Sequence, residues 1–129
     1  MKDESTVQQE VQIKARHHGC VLLRNNSGAC LDSEGRLVRY GLGNVSKRHQ
    51  ENSASSDLIG VTQVVVTPEM VGKTIGVFTA VEVKKEAWKN DKKLIGREVA
   101  QSNFIQWVLS LGGYAGFCND ADEVKEILK

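Results

Sequence analysis

Apolar positions along the chain recur in two rhythms, and the switches between them mark the elements. Val7, Val11 and Ala15 repeat at helical spacing behind Ser5 and Gln8, a pair with the form of a capping box. This predicts a helix that starts near Ser5 and ends at Gly19. CVLLRNN, residues 20–26, reads as a first strand, and residues 27–40 read as a hairpin turning at Ser33, Glu34 and Gly35. Residues 41–56 are rich in Gly, Asn and Ser and have no period, which predicts a mobile loop. DLIGVTQVVV, residues 57–66, is a β-branched strand, and the only proline, Pro68, turns the chain after it. TIGVFTAVEVK, residues 74–84, is apolar enough for the middle of a sheet. A helix is predicted over 97–111, with Gln101, Phe104, Ile105, Val108 and Leu111 on or near one stripe and Gly112-Gly113 as its stop. YAGFC follows as a short strand. Asp120 with Glu123 then caps a last helix seated by Val124, Ile127 and Leu128. The order predicts a single α/β domain over residues 1–129, a mixed β-sheet flanked by helices, with no repeat and no linker.

Composition narrows the class. Hydrophobic residues make up 40% and charged residues 26% of 129, and the net charge is +1, which excludes a disordered acidic tail and a histone-like polycation. No apolar run is long enough to cross a membrane. The polar start MKDESTVQQE does not read as a signal peptide, and three cysteines, Cys20, Cys30 and Cys118, make no disulfide framework. A reducing cytoplasm is the expected compartment. The near-neutral total hides local polarity. Lys84, Lys85, Lys89, Lys92, Lys93 and Arg97 lie within residues 84–97 against only Glu86 and Asp91, and Lys47, Arg48 and His49 form a second cluster. Both ends of the chain are acidic. One face for a polyanion fits this distribution, and so does a solvated lysine-rich loop.

Three polar residues are not required by the strand pattern. Residues two apart in a strand share a face, so Glu82 and Lys84 are predicted to point one way while Val81 and Val83 point into the core. Asp57 opens the preceding strand. If those strands are neighbours, the Asp57 and Glu82 carboxylates and the Val83 carbonyl make an oxygen site suited to Mg²⁺ or Mn²⁺. Lys84 would then hold the attacking water and stabilise developing negative charge. The alternative is a solvated strand-end pair, since E-x-K is a common tripeptide. Glu10 borders the first apolar stripe and either reaches the metal or pairs with Lys14 at i+4. Gln101 either orients Lys84 or the water, or lies at the edge of its stripe. Trp88 either stacks on a splayed base, packs in a dimer interface, or simply packs.

Glu10, RNNSGA at 24–29, RYGLG at 39–43, SSDLIG at 55–60, VEVK at 81–84 and QSNFIQWVLSLGGYAGF at 101–117 together resemble the VRR-NUC nucleases of the PD-(D/E)XK superfamily. The resemblance runs from the first helix to the last and implies a restriction-endonuclease-like core. It implies metal-binding acids at Asp57 and Glu82, the catalytic lysine at Lys84, the first-helix acid at Glu10 and the helix glutamine at Gln101. Residues 44–54 make a longer loop than the minimal family pattern. The short standalone members that the chain resembles are phage or bacterial proteins. They imply a homodimeric, structure-selective endonuclease that resolves four-way DNA junctions, since a two-fold junction needs two matched cuts. The expected DNA contacts are Lys47, Arg48, Ser56, Lys85, Lys89, Lys92, Lys93 and Arg97, with no organic cofactor and no membrane.

Flap or single-strand cleavage, and a non-catalytic DNA-binding protein on the same fold, are the alternatives. A zinc module of His17, His18, Cys20 and Cys30 or Cys118 fits no common spacing. A cysteine hydrolase is disfavoured because Cys20 and Cys118 sit in apolar runs. No phosphate-cradling G-x-x-x-x-G-K motif occurs.

Overall fold

A computed structural model describes residues 1–89 and 93–129. The chain divides into two compact units, Met1–Thr62 and Gln63–Lys129, and each is described by itself. The class is α/β, with small sheets and four α-helices among the described residues. Strands that the sequence pattern assigns to one mixed sheet pair, among the described residues, as three two-stranded ladders.

In the first unit, α1 spans Glu4–Arg16. Its cap is Asp3, whose Oδ1 accepts the Thr6 backbone N–H at 2.8 Å. Ser5, the expected cap, lies inside the first turn. A carboxylate two residues upstream takes the role because its full charge also meets the positive end of the helix. Glycine ends the turn that follows: Gly19 has φ 75°. Strands β1 (Cys20–Arg24) and β4 (Leu58–Thr62) pair antiparallel, Leu22 opposite Gly60. A Cβ at Gly60 would run into the Val21 carbonyl oxygen, so this strand approach requires glycine.

The face of α1 turned to β1 is not the valine stripe. Gln8, Gln12 and Ala15 are half-buried, while Val7 and Val11 are 44% and 43% exposed. Gln12 Nε2 donates to the Leu22 carbonyl at 3.1 Å, so a polar partner decides the face.

The hairpin forms as expected from β2 (Gly28–Leu31) and β3 (Leu37–Tyr40). Asp32 organises its turn: Oδ1 accepts the Glu34 and Arg36 backbone N–H groups and Oδ2 accepts Arg36 Nε. The backbone bond from Arg36 chiefly holds the Asp32 carboxyl below its ordinary range. Residues 41–56, expected to be an irregular loop, contain α2 (Lys47–Asn52), capped by Ser46 Oγ at 3.0 Å from the His49 N–H. Asn44, 6% exposed, ties the segment to the hairpin by donating to the Gly28 and Tyr40 carbonyls. The Ser and Asn content that hides a helical period supplies its cap and its staple.

The second unit is a β-α-β crossover. β5 (Thr79–Val83) and β6 (Tyr114–Cys118) pair in parallel, and α3 (Arg97–Ser110) lies between them in the chain. Ile105, Val108 and Ala115 form the buried core, with Phe78, Ala80, Trp107 and Phe117 packed against it. Pro68 opens a short 3₁₀ turn, Pro68–Met70. Gly112, at φ 93°, ends α3 as expected. Asp120 caps a 3₁₀ turn through the Asp122 N–H, leading into α4 (Val124–Ile127). β5 is shorter than the predicted run over 74–84. Its burial is also reversed: Val81 and Val83 are 38% and 74% exposed, while Ala80 and Glu82 are half-buried. The small Ala80 side chain lets α3 pack on that face.

Candidate active site

Strand alternation places Ala80 and Glu82 on the α3 face of β5, and Lys84 follows one step beyond the strand end. The Lys84 N–H donates to the Cys118 carbonyl at 2.8 Å, which extends the ladder and fixes the backbone there. On α3, Gln101 lies one turn before Ile105, and Val108 follows on the same buried side, so the packing that buries Ile105 and Val108 also aims Gln101 at β5.

The three side chains are joined in a chain of hydrogen bonds. Gln101 Nε2 donates to Glu82 Oε1 at 2.6 Å, and Lys84 Nζ donates to Gln101 Oε1 at 2.7 Å. A carboxylate only accepts and an ammonium only donates, so one orientation of the amide serves both charged groups. All three residues are half-buried. Glu82 and Lys84 make no direct ion pair; the amide stands between them. The expectation that Gln101 orients Lys84 therefore has a specific geometry, with an acceptor for the ammonium and a donor for the acid.

A pocket of about 530 Å³ opens beside this chain, lined by Glu82, Gln101 and Arg97 at its polar side and by Ala100, Phe104 and Ile105 at its apolar side. The second oxygen of Glu82 takes no hydrogen bond among the described residues. It is a hard donor of the kind a cation that keeps several waters takes; Val83, whose carbonyl the sequence adds to the set, is 74% exposed and does not line this pocket. Among the described residues no group of three or more His, Cys, Asp or Glu is gathered closely enough to hold a metal ion. Of the described residues lining the pocket, Glu82 alone carries a carboxylate, so Mg²⁺ or Mn²⁺ would need further ligands there.

An aromatic floor lies beneath Lys84. Its Nζ is 5.5 Å from the Phe117 ring centroid and 6.0 Å from that of Trp88. The two rings meet at 4.9 Å and a 38° tilt. Trp88 is 8% exposed and its indole N–H donates to Glu98 in the first turn of α3. Burial of the ring excludes base stacking by Trp88 and shows packing within its own unit. Lys85, Lys89, Lys93 and Arg97 are exposed, and Lys92 lies outside the described residues.

The remaining predicted residues belong to the first unit. Asp57 is exposed just before β4, and its carbonyl accepts the Asn25 N–H at 2.8 Å. Asn25 Nδ2 also donates to Ser55 Oγ and the Ser56 carbonyl, at 2.8 and 2.9 Å, so it clamps the turn that presents Asp57. Ser56 is exposed, with its hydroxyl donating to the Leu58 carbonyl. Glu10 pairs with Lys2 at 2.8 Å, both side chains at least half exposed, and not with Lys14. Lys2 precedes the helix and can reach Glu10 without helical constraint on its own backbone. Lys47 and Arg48 are exposed on α2, Lys47 at 4.0 Å from Glu51.

Asn25, Glu98 and Phe117 were not singled out from the sequence. The RNN that follows β1 is an available signal for Asn25, because side-chain amides at strand ends hold turns. Nothing local marks the other two. Compared with family models, curated proteins and solved structures, the chain matches none of them.

Proposed function

We propose that the protein is a divalent-metal-dependent, structure-selective DNA endonuclease with a restriction-endonuclease-like core, hydrolysing phosphodiester bonds and resolving four-way junctions as a homodimer. The observation that carries the reading is the Glu82–Gln101–Lys84 hydrogen-bonded chain beside a pocket, followed directly by exposed Lys85, Lys89 and Lys93. An acid and an ammonium held apart by an amide have little value as a surface ion pair. They have value where one must hold a cation and the other must meet negative charge.

On this reading Glu82 and the Val83 carbonyl would hold the cation in the second unit, while Asp57 and Glu10, the other acids that the sequence resemblance implies, belong to the first. The cation, when bound, supplies Lewis acidity and acidifies a bound water. Lys84 orients the attacking water and donates to a phosphoryl oxygen as charge builds on it. Gln101 keeps the ammonium at that post. Arg97, at the pocket, and the exposed lysines offset phosphate charge. Lys47, Arg48 and Ser56 would extend the grip. The setting is the cytoplasm, that of a bacterial host for a phage-encoded chain. No described helix is long and apolar enough to cross a membrane.

The test is cleavage of end-labelled duplex, flap and four-way-junction DNA with Mg²⁺, Mn²⁺ or EDTA. Paired, metal-dependent cuts in the junction are expected. Cuts confined to flaps or single strands would change the substrate class, and binding without cutting under any metal would overturn the enzyme reading.

A further inference from the structure

Gln101 holds Lys84 through one hydrogen bond. An ammonium on a four-carbon stem with one side-chain acceptor keeps freedom to swing about that bond. Two aromatic rings also lie within reach of the ammonium. Phe117 lies at 5.5 Å and Trp88 at 6.0 Å from Nζ, within the range where a ring face attracts a cation. Phe117 is placed by the ladder, opposite Glu82 in the β5–β6 register. Trp88 has no strand or helix to place it. The contacts that hold it include its ring on Phe117, its indole N–H on Glu98, its backbone N–H on the Lys85 carbonyl, and its carbonyl on Asn119 Nδ2 at 2.8 Å. Asn119 Nδ2 also donates to the Glu86 carbonyl at 3.1 Å. The turn that carries exposed Lys85 and Lys89 is therefore docked through the Trp88 indole onto the catalytic face of the sheet.

We infer that Trp88 is a positioning residue for Lys84. Its buried ring, anchored by Glu98 and set against Phe117, bounds the ammonium that Gln101 holds and ties the lysine-bearing turn to the reacting centre. The inference rests on the nuclease reading for its consequence, not for its geometry. Trp88 itself meets no substrate. Its loss should leave the DNA grip in place and misplace the group that meets the phosphoryl oxygen, and a displacement of about 1 Å at a reacting group can cost ~10²-fold in rate.

Two measurements test this on the full chain, with circular dichroism confirming the fold of each variant. Junction cleavage by Trp88→Leu should show kcat reduced by up to ~10²-fold with KM for DNA unchanged, and Trp88→Phe, which keeps a ring face, should recover most of it. Lys85→Ala with Lys89→Ala should do the converse, raising KM and sparing kcat. Trp88→Leu with wild-type kcat, or with its loss confined to KM, overturns the inference. Independently of any activity, the Lys84 Hε protons should show an upfield ring-current shift by NMR that diminishes in Trp88→Leu. If wild type cuts no DNA but the shift is present, the nuclease reading fails and the positioning geometry stands. If the shift is absent from wild type, the geometry itself is wrong.

Discussion

Helices α1 and α3 rest on the same sequence device, an apolar repeat with a polar residue beside or within it, yet they put it to opposite uses. In α3 the repeat is the core: Ile105 is 6% exposed and Val108 fully buried. Gln101, on that face, meets two charged side chains at 2.6 and 2.7 Å. In α1 the repeat is turned away from β1, with Val7 and Val11 each more than two-fifths exposed. Gln12 takes the inner position, and Glu10 meets exposed Lys2. A period announces a helix. Which face is buried depends on what the facing strand presents. β6 presents Ala115 and its neighbours to α3, while β1 presents the Leu22 carbonyl to Gln12.

The largest expected effect lies on the α3 side. Glu82→Ala, Lys84→Ala and Gln101→Leu should each remove cleavage while junction binding, followed by gel shift, persists. Gln101→Leu is the most informative, because a leucine of similar bulk keeps the packing and leaves both charged groups without their bridge. The lost bonds to charged partners should also lower stability by about 1.5–3 kcal/mol in urea unfolding. A Gln101→Leu protein that cuts at the wild-type rate would reduce the chain to an ordinary surface arrangement. Gln12→Leu, its counterpart on α1, should leave cleavage intact.

A middle-sized effect separates the two apolar repeats. Val108→Ala should destabilise by about 2 kcal/mol, because a fully buried side chain loses both transfer energy and packing partners. Val11→Ala should stay within ~0.5 kcal/mol, as for other exposed positions. Equal losses at the two sites would show that the α1 valines are covered in solution.

The smallest effects concern the charged groups of α1. Glu10→Gln removes an exposed pair worth up to about 1 kcal/mol, so the melting temperature should hardly move. A fall in cleavage at unchanged stability would then assign Glu10 to the metal. The Asp3 carboxyl is held below its ordinary range, first by the Thr6 backbone N–H and then by the Thr6 side chain. A depressed folded value means that this support is present above the ordinary carboxylate range and disappears as pH falls through the lowered value. Amide exchange in the first turn of α1 should accelerate on acidification, and Asp3→Asn, which caps without a charge, should remove the pH dependence.

Much of the site was legible because its signals are local. E-x-K at residues 82–84 needs only the two-residue period of a strand to put both groups on one face, and the stripe on residues 97–111 needs only the helical period to carry Gln101 with Ile105 and Val108. The hairpin turn and the stop at Gly112 were legible for the same reason, since a backbone at positive φ asks for glycine at one position. The same local logic misled where two partners competed. Asp3 took the cap from Ser5, and Ser46 and Asn44 ordered a segment whose composition reads as loop. Glu98 and Phe117 carried no local signal, since each acts on residues distant in the chain, whereas Asn25 had that of an amide directly after a strand.

By itself, then, the amino-acid sequence determined the α/β class, the order of the elements other than α2, the glycine-dependent turns and the identity of the acid, amide and ammonium on one strand and one helix. These follow from dihedral preference and periodicity, which are properties of neighbouring residues. Only the tertiary structure decided which face of α1 and of β5 is covered, that an amide rather than an ion pair joins Glu82 to Lys84, and that Trp88 is buried beneath the lysine. Those outcomes depend on which surface each element meets. A side chain separated in sequence from its partner finds it only when packing has placed the two backbones.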